Sequence, residues 1–192
     1  FMAQILSGFH KQHPQVRYEI FSGNSDDIKE RIERGLLDMG FLLEPVDVSR
    51  YEFVRLPVRE EWGVFVAEDS ELAHKTAVTP QDLASQPLIF ARRDLVKQEL
   101  TNWFGSSAEG LDIIASGNLP FNLSMLVQQG MGVHFSLAKN CRYEGVCFRP
   151  LSPRLESNVV LAWKKNQAMS PAAQQLIEEA KKYIQRISCN KE

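Results

Sequence analysis

No stretch of this sequence comes near the roughly 20 consecutive apolar residues that a helix needs to cross a bilayer, and no charged start followed by an apolar core marks a secretory leader. No membrane partner is expected. Cysteine is scarce and odd in number. Cys141, Cys147 and Cys189 cannot pair off into a disulfide framework, which points to a reducing compartment, the cytoplasm. An excess of one charge sign is lacking too: 22 basic residues against 24 acidic ones leave a net charge of −2. A chain with no positive field does not grip DNA by itself, so any nucleic-acid role needs another segment. Also missing are a nucleophile elbow, a Walker loop, a Rossmann glycine fingerprint and a paired-carboxylate motif. These absences argue against an enzyme and against a bound cofactor.

What is present is alternation. After Pro14, "VRYEIFSG" (16–23) reads as a strand and "NSDDIKERIERG" (24–35) as a helix with polar caps, two acids in its first turn and Gly35 at its close. "LDMGFLL" (37–43) is an apolar run of the kind buried on both faces of a parallel sheet, which makes a right-handed βαβ unit of the three. "YEFVRL" and "EEWGVFVAE" follow as strands, then "TPQDLASQ", a short helix capped by Thr79 with Pro80 in its first position. A second alternation runs "PLIFA" strand, "DLVKQELTNWF" helix, "LDIIAS" strand, a helix from Leu119 to Gln129, and "GVHFSL" strand. The end of the chain gives "GVCFRPL", the apolar strand "NVVLAW", and a helix capped by Ser170 with Leu176, Ile177, Ala180, Tyr183, Ile184 and Ile187 on its buried side. The class is α/β.

The stretch "LVQQGMGVHFSL" shows how one joint is made. Gly130 stands where a helix ends and is expected to take the left-handed conformation, after which Val133, Phe135 and Leu137 alternate as a strand. Gly132 lets that strand's backbone lie close to something, either a packed element or a ligand. The first helix, "FMAQILSGFHKQHP", puts Phe1, Met2, Ile5, Leu6 and Phe9 on one face from the first residue with no capping residue before them, as though it continued a preceding segment.

Open α/β sheets bind ligands at the carboxyl ends of their strands, beside helix N-termini. Three such ends are Gly23-Asn24-Ser25, Ala91-Arg92-Arg93 and Ser116-Gly117-Asn118. Asn24 and Ser25 are also ordinary N-cap residues. Arg92 and Arg93 can pair with a carboxylate or phosphate, although a solvated charge run is the commoner meaning of such a pair. Asn118, Phe121 and Asn122 offer polar groups beside an aromatic face, which suits a small organic ligand; the plain alternative makes Asn118 a cap and Phe121 core. His10 and His13 lack a third metal ligand nearby, and Cys141 and Cys147 have no histidine at a zinc spacing, so no metal site is expected. Asn122-Leu123-Ser124 forms a glycosylation sequon by chance, inside a helix.

Taken in order, these motifs resemble the effector-binding domain of LysR-type transcriptional regulators, related in fold to type 2 periplasmic solute-binding proteins. The carriers are "FHKQHPQVRYEIFSGNSDDIKERIERGLLDMGFL", "EDSELAHKTAVTPQDLASQPLIF", "LVQQGMGVHFSL", "VVLAWKK" and "SPAAQQLIEEAKKYI". Each is degenerate; their order and spacing make the match. Leu137 stands where the family usually has proline, and the family's first strand and the residue opening its first helix would lie before Phe1.

The resemblance implies two Rossmann-like α/β lobes joined by two crossover strands, one lobe from residues 1–66 and 158–192 and the other from 67–157, with the first strand missing from this chain. It implies a small-molecule effector, here expected to be anionic, held between the lobes by Asn24, Ser25, Arg92, Arg93, Asn118, Phe121 and Asn122, with Phe135 facing the cleft from its strand. It further implies a homodimer or homotetramer, through Phe1, Ile5 and Phe9 of the first helix and the Leu126 region of a partner. DNA would be met only through a winged helix-turn-helix outside this sequence. A periplasmic solute-binding protein of a transporter is the alternative on the same fold.

Overall fold

A computed structural model of the chain describes residues 1–137 and 140–189. The chain divides into two compact units, Phe1–Arg59 with Asn158–Glu192, and Glu60–Ser157.

The first unit contains helices α1 (Met2–Gln12) and α2 (Ser25–Glu33), strand β1 (Gly40–Leu43) and most of β2 (Tyr51–Glu61). It also holds most of β8 (Glu156–Lys164) and all of α6 (Pro171–Cys189). Its sheet has the order β1-β8-β2. The period of two along β8 organises this core. Leu161 and Trp163 pack with Ile5 of α1 and Ile177, Ala180 and Ile184 of α6, while Val160 and Ala162 pack with Ile28 and Ile32 of α2. That double burial is why "NVVLAW" carries no polar residue after Asn158. The capped helices stand where the sequence puts them: Asn24 caps α2 and Gly35 follows with φ +70°, and Ser170 Oγ accepts a hydrogen bond from Ala173 N at 3.2 Å.

Two expectations for this unit fail. Residues 16–23 form no strand: apart from the Val16 N–H, which donates to His13 O, they have no backbone ladder among the described residues, and a strand exists only where a neighbour completes it. β1 pairs antiparallel with β8, Gly40 opposite Ala162 and Leu43 opposite Val159, rather than sitting in a parallel sheet. An apolar run buried on both faces signals a central position, not the direction of the partner.

The second unit is a five-stranded sheet of order β5-β4-β6-β3-β7. Its strands are β3 (Gly63–Ala67), β4 (Leu88–Ala91), β5 (Ile113–Gly117), β6 (Val133–Ser136) and β7 (Val146–Pro150). β4 runs parallel to β5 and to β6, and β3 runs antiparallel to β6 and β7. Helix α3 (Pro80–Leu83) opens with a capping box between Thr79 and Asp82. On one sheet face, α5 (Pro120–Gln128) packs Leu123 and Val127 onto Phe65, Ile89 and Val146. The opposite face is aromatic: Phe135 meets Phe90 at 5.1 Å and, from α4 (Asp94–Phe104), Phe104 at 5.9 Å.

The joint after α5 has the expected geometry. Gln129 is the C-cap and Gly130 has φ +74°. Gly132, at φ +151°, brings Val133 N to 2.8 Å from Pro87 O, and a side chain at position 132 would run into the Pro87 carbonyl. The close approach is to neighbouring backbone, so packing explains this glycine. The turn beyond Leu137, where the family proline is replaced, lies outside the described residues.

Candidate functional site

The parallel pairing of β4 and β5 puts Ala91 opposite Gly117, and Arg92 N donates to Gly117 O at 2.8 Å. Arg92 and Asn118 are thereby brought side by side at the carboxyl edge of the sheet, with the first turn of α5, Phe121 and Asn122 included, directly following. All four are solvent-exposed, Phe121 by 57% of its surface. Phe121 also makes an edge contact with Tyr143 at 5.9 Å. Asn118 is not the cap of α5; the N-cap is Leu119, which has no side chain able to serve, and Pro120 fills the first position.

Helix N-termini in this chain differ in a way that matters for anions. Asn24 Oδ1 accepts from the Asp26 and Asp27 amides at 2.9 Å, and Thr79 and Ser170 likewise occupy free N–H groups of α3 and α6. Neither α4 nor α5 has a side-chain cap. Both begin at the edge where Arg92 lies exposed, and among the described residues that guanidinium has no ion-pair partner. Free N–H groups, the positive ends of two helices and an unpaired cation make an anion-favouring surface.

Arg93 differs from its neighbour. It is buried, 7% exposed, and is the N-cap residue of α4. Six residues further on, Glu99 has its carboxyl pushed up by burial, against the pull of Arg93. Arg93 therefore belongs as much to the interior as to the edge.

The other predicted residues are held by structure. Ser25 Oγ, in the buried first turn of α2, accepts from Leu43 N at 2.9 Å and donates to Leu43 O at 3.2 Å, tying α2 to the end of β1. Asn24 Nδ2 donates to Asp27 Oδ2 at 2.7 Å, so both ends of its amide are used within α2. Phe135 is 1% exposed inside the aromatic layer under α4 and faces no open surface. Strand alternation alone could not show this, because every residue of β6 is buried.

The apolar face of α1 is turned mostly inward, with Met2 left 40% exposed. Ile5 and Phe9 are buried, 6% and 2% exposed, with Ile5 in the core against α6, while Phe1 packs edge-on against Tyr183 at 5.7 Å. Leu126 is half-buried at the edge of the α5 core. The residue that sequence reasoning passed over is His134, 2% exposed in the middle of the sheet. A single histidine in a strand carries no pattern that would reveal it. Cys141 is exposed and Cys147, half-buried, has its thiol pushed up by burial.

Residues 1–185 match the family described as the LysR substrate binding domain. The chain belongs to that family. Among its relatives are the HTH-type transcriptional regulators YvbU of Bacillus subtilis, 25% identical over 94% of this chain and 62% of its own, and MetR of Escherichia coli, 25% identical over 93% and 57%. Among solved structures, the effector-binding domain of QuiR in complex with shikimate superposes with a TM-score of 0.82 at 21% identity, over 96% of this chain and 90% of its own. That of BenM with its effector benzoate superposes with a TM-score of 0.70 at 18% identity, over 98% and 86%. The chain thus spans about three-fifths of the full-length regulators it matches. These relatives are transcription regulators, and the transport-protein alternative finds no support among them.

Proposed function

We propose that this chain is the effector-sensing part of a LysR-type transcription regulator and that its effector is a small carboxylate. The observation carrying this reading is the carboxyl edge of the second unit, where Arg92, Asn118 and the uncapped starts of α4 and α5 come together. A carboxylate satisfies orphan N–H groups and a guanidinium at once, and Phe121 supplies an apolar face for its carbon skeleton. The QuiR and BenM structures hold carboxylates of this size, shikimate and benzoate.

The rest of the protein follows from this role. Its lobes correspond to the two compact units, which moves residues 60–66, with the start of β3, from the expected first lobe (1–66 with 158–192) to the second (expected 67–157). It works in the cytoplasm as a homodimer or homotetramer, catalyses no reaction, and meets DNA through an N-terminal helix-turn-helix. With Ile5 and Phe9 committed to their own core, the subunit contact uses the outward residues of α1 beside Phe1, against the α5 region around Leu126. Effector binding changes how subunits pack through unequal affinity for two arrangements.

The test is calorimetric titration with a panel of small carboxylates, shikimate and benzoate included, against their amides or alcohols. Binding of at least one carboxylate, lost in its neutral counterpart, is expected. Equal binding of charged and neutral partners would overturn the anionic reading.

A further inference from the structure

The start of α5 is apolar where it meets water: Leu119, Pro120 and Phe121 are three exposed residues in succession. The Phe121 ring is held in place. It meets Tyr143 edge-on, with centroids 5.9 Å apart and planes at 66°. Tyr143 meets Phe65 in the same manner at 5.2 Å, and the buried Phe65 meets Phe148 at 5.6 Å. Edge-to-face pairs at these spacings attract, so a row of rings runs from the interior of the second unit's sheet out to Phe121.

The turn that carries Tyr143 is fixed as well. Val146 N donates to Tyr143 O at 3.4 Å, Glu68 N donates to Gly145 O at 3.1 Å, and Gln128 Nε2 of α5 donates to Glu144 O at 3.0 Å. Gly145, at φ +74°, lets the turn lie against the Gln128 side chain, which a Cβ there would meet at 3.1 Å. Burial and a hydrogen bond with Cys141 push the Tyr143 hydroxyl up, so this ring stays neutral and does not repel an anion. A rigid aromatic face open to water binds a flat ring well, because little side-chain freedom is lost on contact.

We propose that the effector is an aromatic carboxylate whose ring lies on Phe121 and Tyr143 while its charge is met by Arg92, which makes Tyr143 a specificity residue of the site. The proposal rests on the reading above, that a carboxylate is held at the edge of β4 and β5. Arg92 N is bonded to Gly117 O, four residues before Phe121. Pro120 has no N–H, so Phe121 is the first residue of α5 that can offer one to the same anion. Helical side chains lean toward the N-terminus of their helix, which brings the Phe121 ring to the end where these charge-binding groups stand. The reach from charge to ring is short, so the carboxylate is attached to the ring directly or through one atom.

The experiment is calorimetric titration with benzoate and 2-naphthoate, each against its ring-saturated counterpart of the same charge, cyclohexanecarboxylate and decahydro-2-naphthoate. At least one aromatic member is expected to bind about 5-fold or more tightly than its saturated partner, with an upfield shift of its ring protons in nuclear magnetic resonance. Phe121→Leu and Tyr143→Leu should erase both the preference and the shift, whereas Tyr143→Phe, which keeps the ring, should retain them. Because Phe121 is exposed, Phe121→Leu carries the test even if Tyr143→Leu fails to fold. Equal affinity within each pair, a preference that survives Phe121→Leu, or binding of none of the four would each overturn the proposal. Benzamide binding as tightly as benzoate would overturn it through the carboxylate reading on which it rests, and is told apart because the preference for an aromatic ring then persists.

Discussion

The Nδ1 nitrogen of His134 lies 3.2 Å from the carbonyl oxygen of Ile89, so the neutral ring keeps its proton on Nδ1 and turns a bare Nε2 into the interior. That Nε2 is buried with no partner among the described residues, and the ring stacks at 21° to Phe65. Burial pulls the imidazole pKa from 6.5 down to about 4, opposed only by the bond to Ile89.

The consequence has a definite sign. Below pH 6.5 the unfolded chain takes up a proton at His134 that the folded chain refuses until about pH 4, so stability falls across that window. The loss attributable to this group reaches about 3 kcal/mol at the acid end. His134→Leu should flatten the difference between urea midpoints measured at about pH 7 and about pH 4.5. Parallel midpoints in the two proteins would show that the ring is charged or solvated in the fold.

Gly130 and Gly132 separate two costs of a side chain. At Gly130 a Cβ would meet nothing within 4 Å, so Gly130→Val carries left-handed strain alone, about 1–2 kcal/mol. Gly132→Ala should cost more, because its methyl collides with the Pro87 carbonyl that receives Val133 N. Denaturant midpoints in the opposite order would exchange the roles of the two glycines.

Ser25→Ala removes both hydrogen bonds to Leu43 and should lower stability by about 1–2 kcal/mol in chemical denaturation. A loss of carboxylate binding at unchanged stability would instead make the hydroxyl a ligand group.

Arg92→Ala and Asn118→Ala should weaken the carboxylate found in the panel by about 10-fold or more, with melting temperature nearly unchanged, since both side chains are exposed. Arg93→Ala should lower stability as well, because its side chain is buried. Unaltered affinity in the first two variants would remove the edge of β4 and β5 from the site.

Helices were the legible part of this chain, because several announce their own ends: Asn24, Thr79 and Ser170 cap, Pro80 starts, Gly35 and Gly130 stop. Strands depend on partners far away in sequence. β1 finds β8 more than a hundred residues on, and residues 16–23 have an equally strand-like composition but no strand partner among the described residues. The placing of Arg92 and Asn118 at an exposed sheet edge was legible, because strand ends and helix starts fix it. Legibility ended where burial decides: Phe135 and His134 are successive residues of β6 that go into opposite faces of one buried sheet, and no local signal says so.

The second unit is one unbroken segment, Glu60–Ser157, whereas the first is assembled from both ends of the chain. The central strand of the first unit's sheet, β8, and the helix under it, α6, leave the ribosome only after the whole of the second unit. Emerging vectorially, the second unit can close while synthesis is still in progress. Residues 1–59 must wait, with Ile5, Leu42 and Leu56 uncovered, until β8 and α6 have emerged. Nascent protein is most exposed to chaperones and proteases in that interval, and a premature stop after Ser157 but before Lys164 would release a finished second unit carrying an unfolded first.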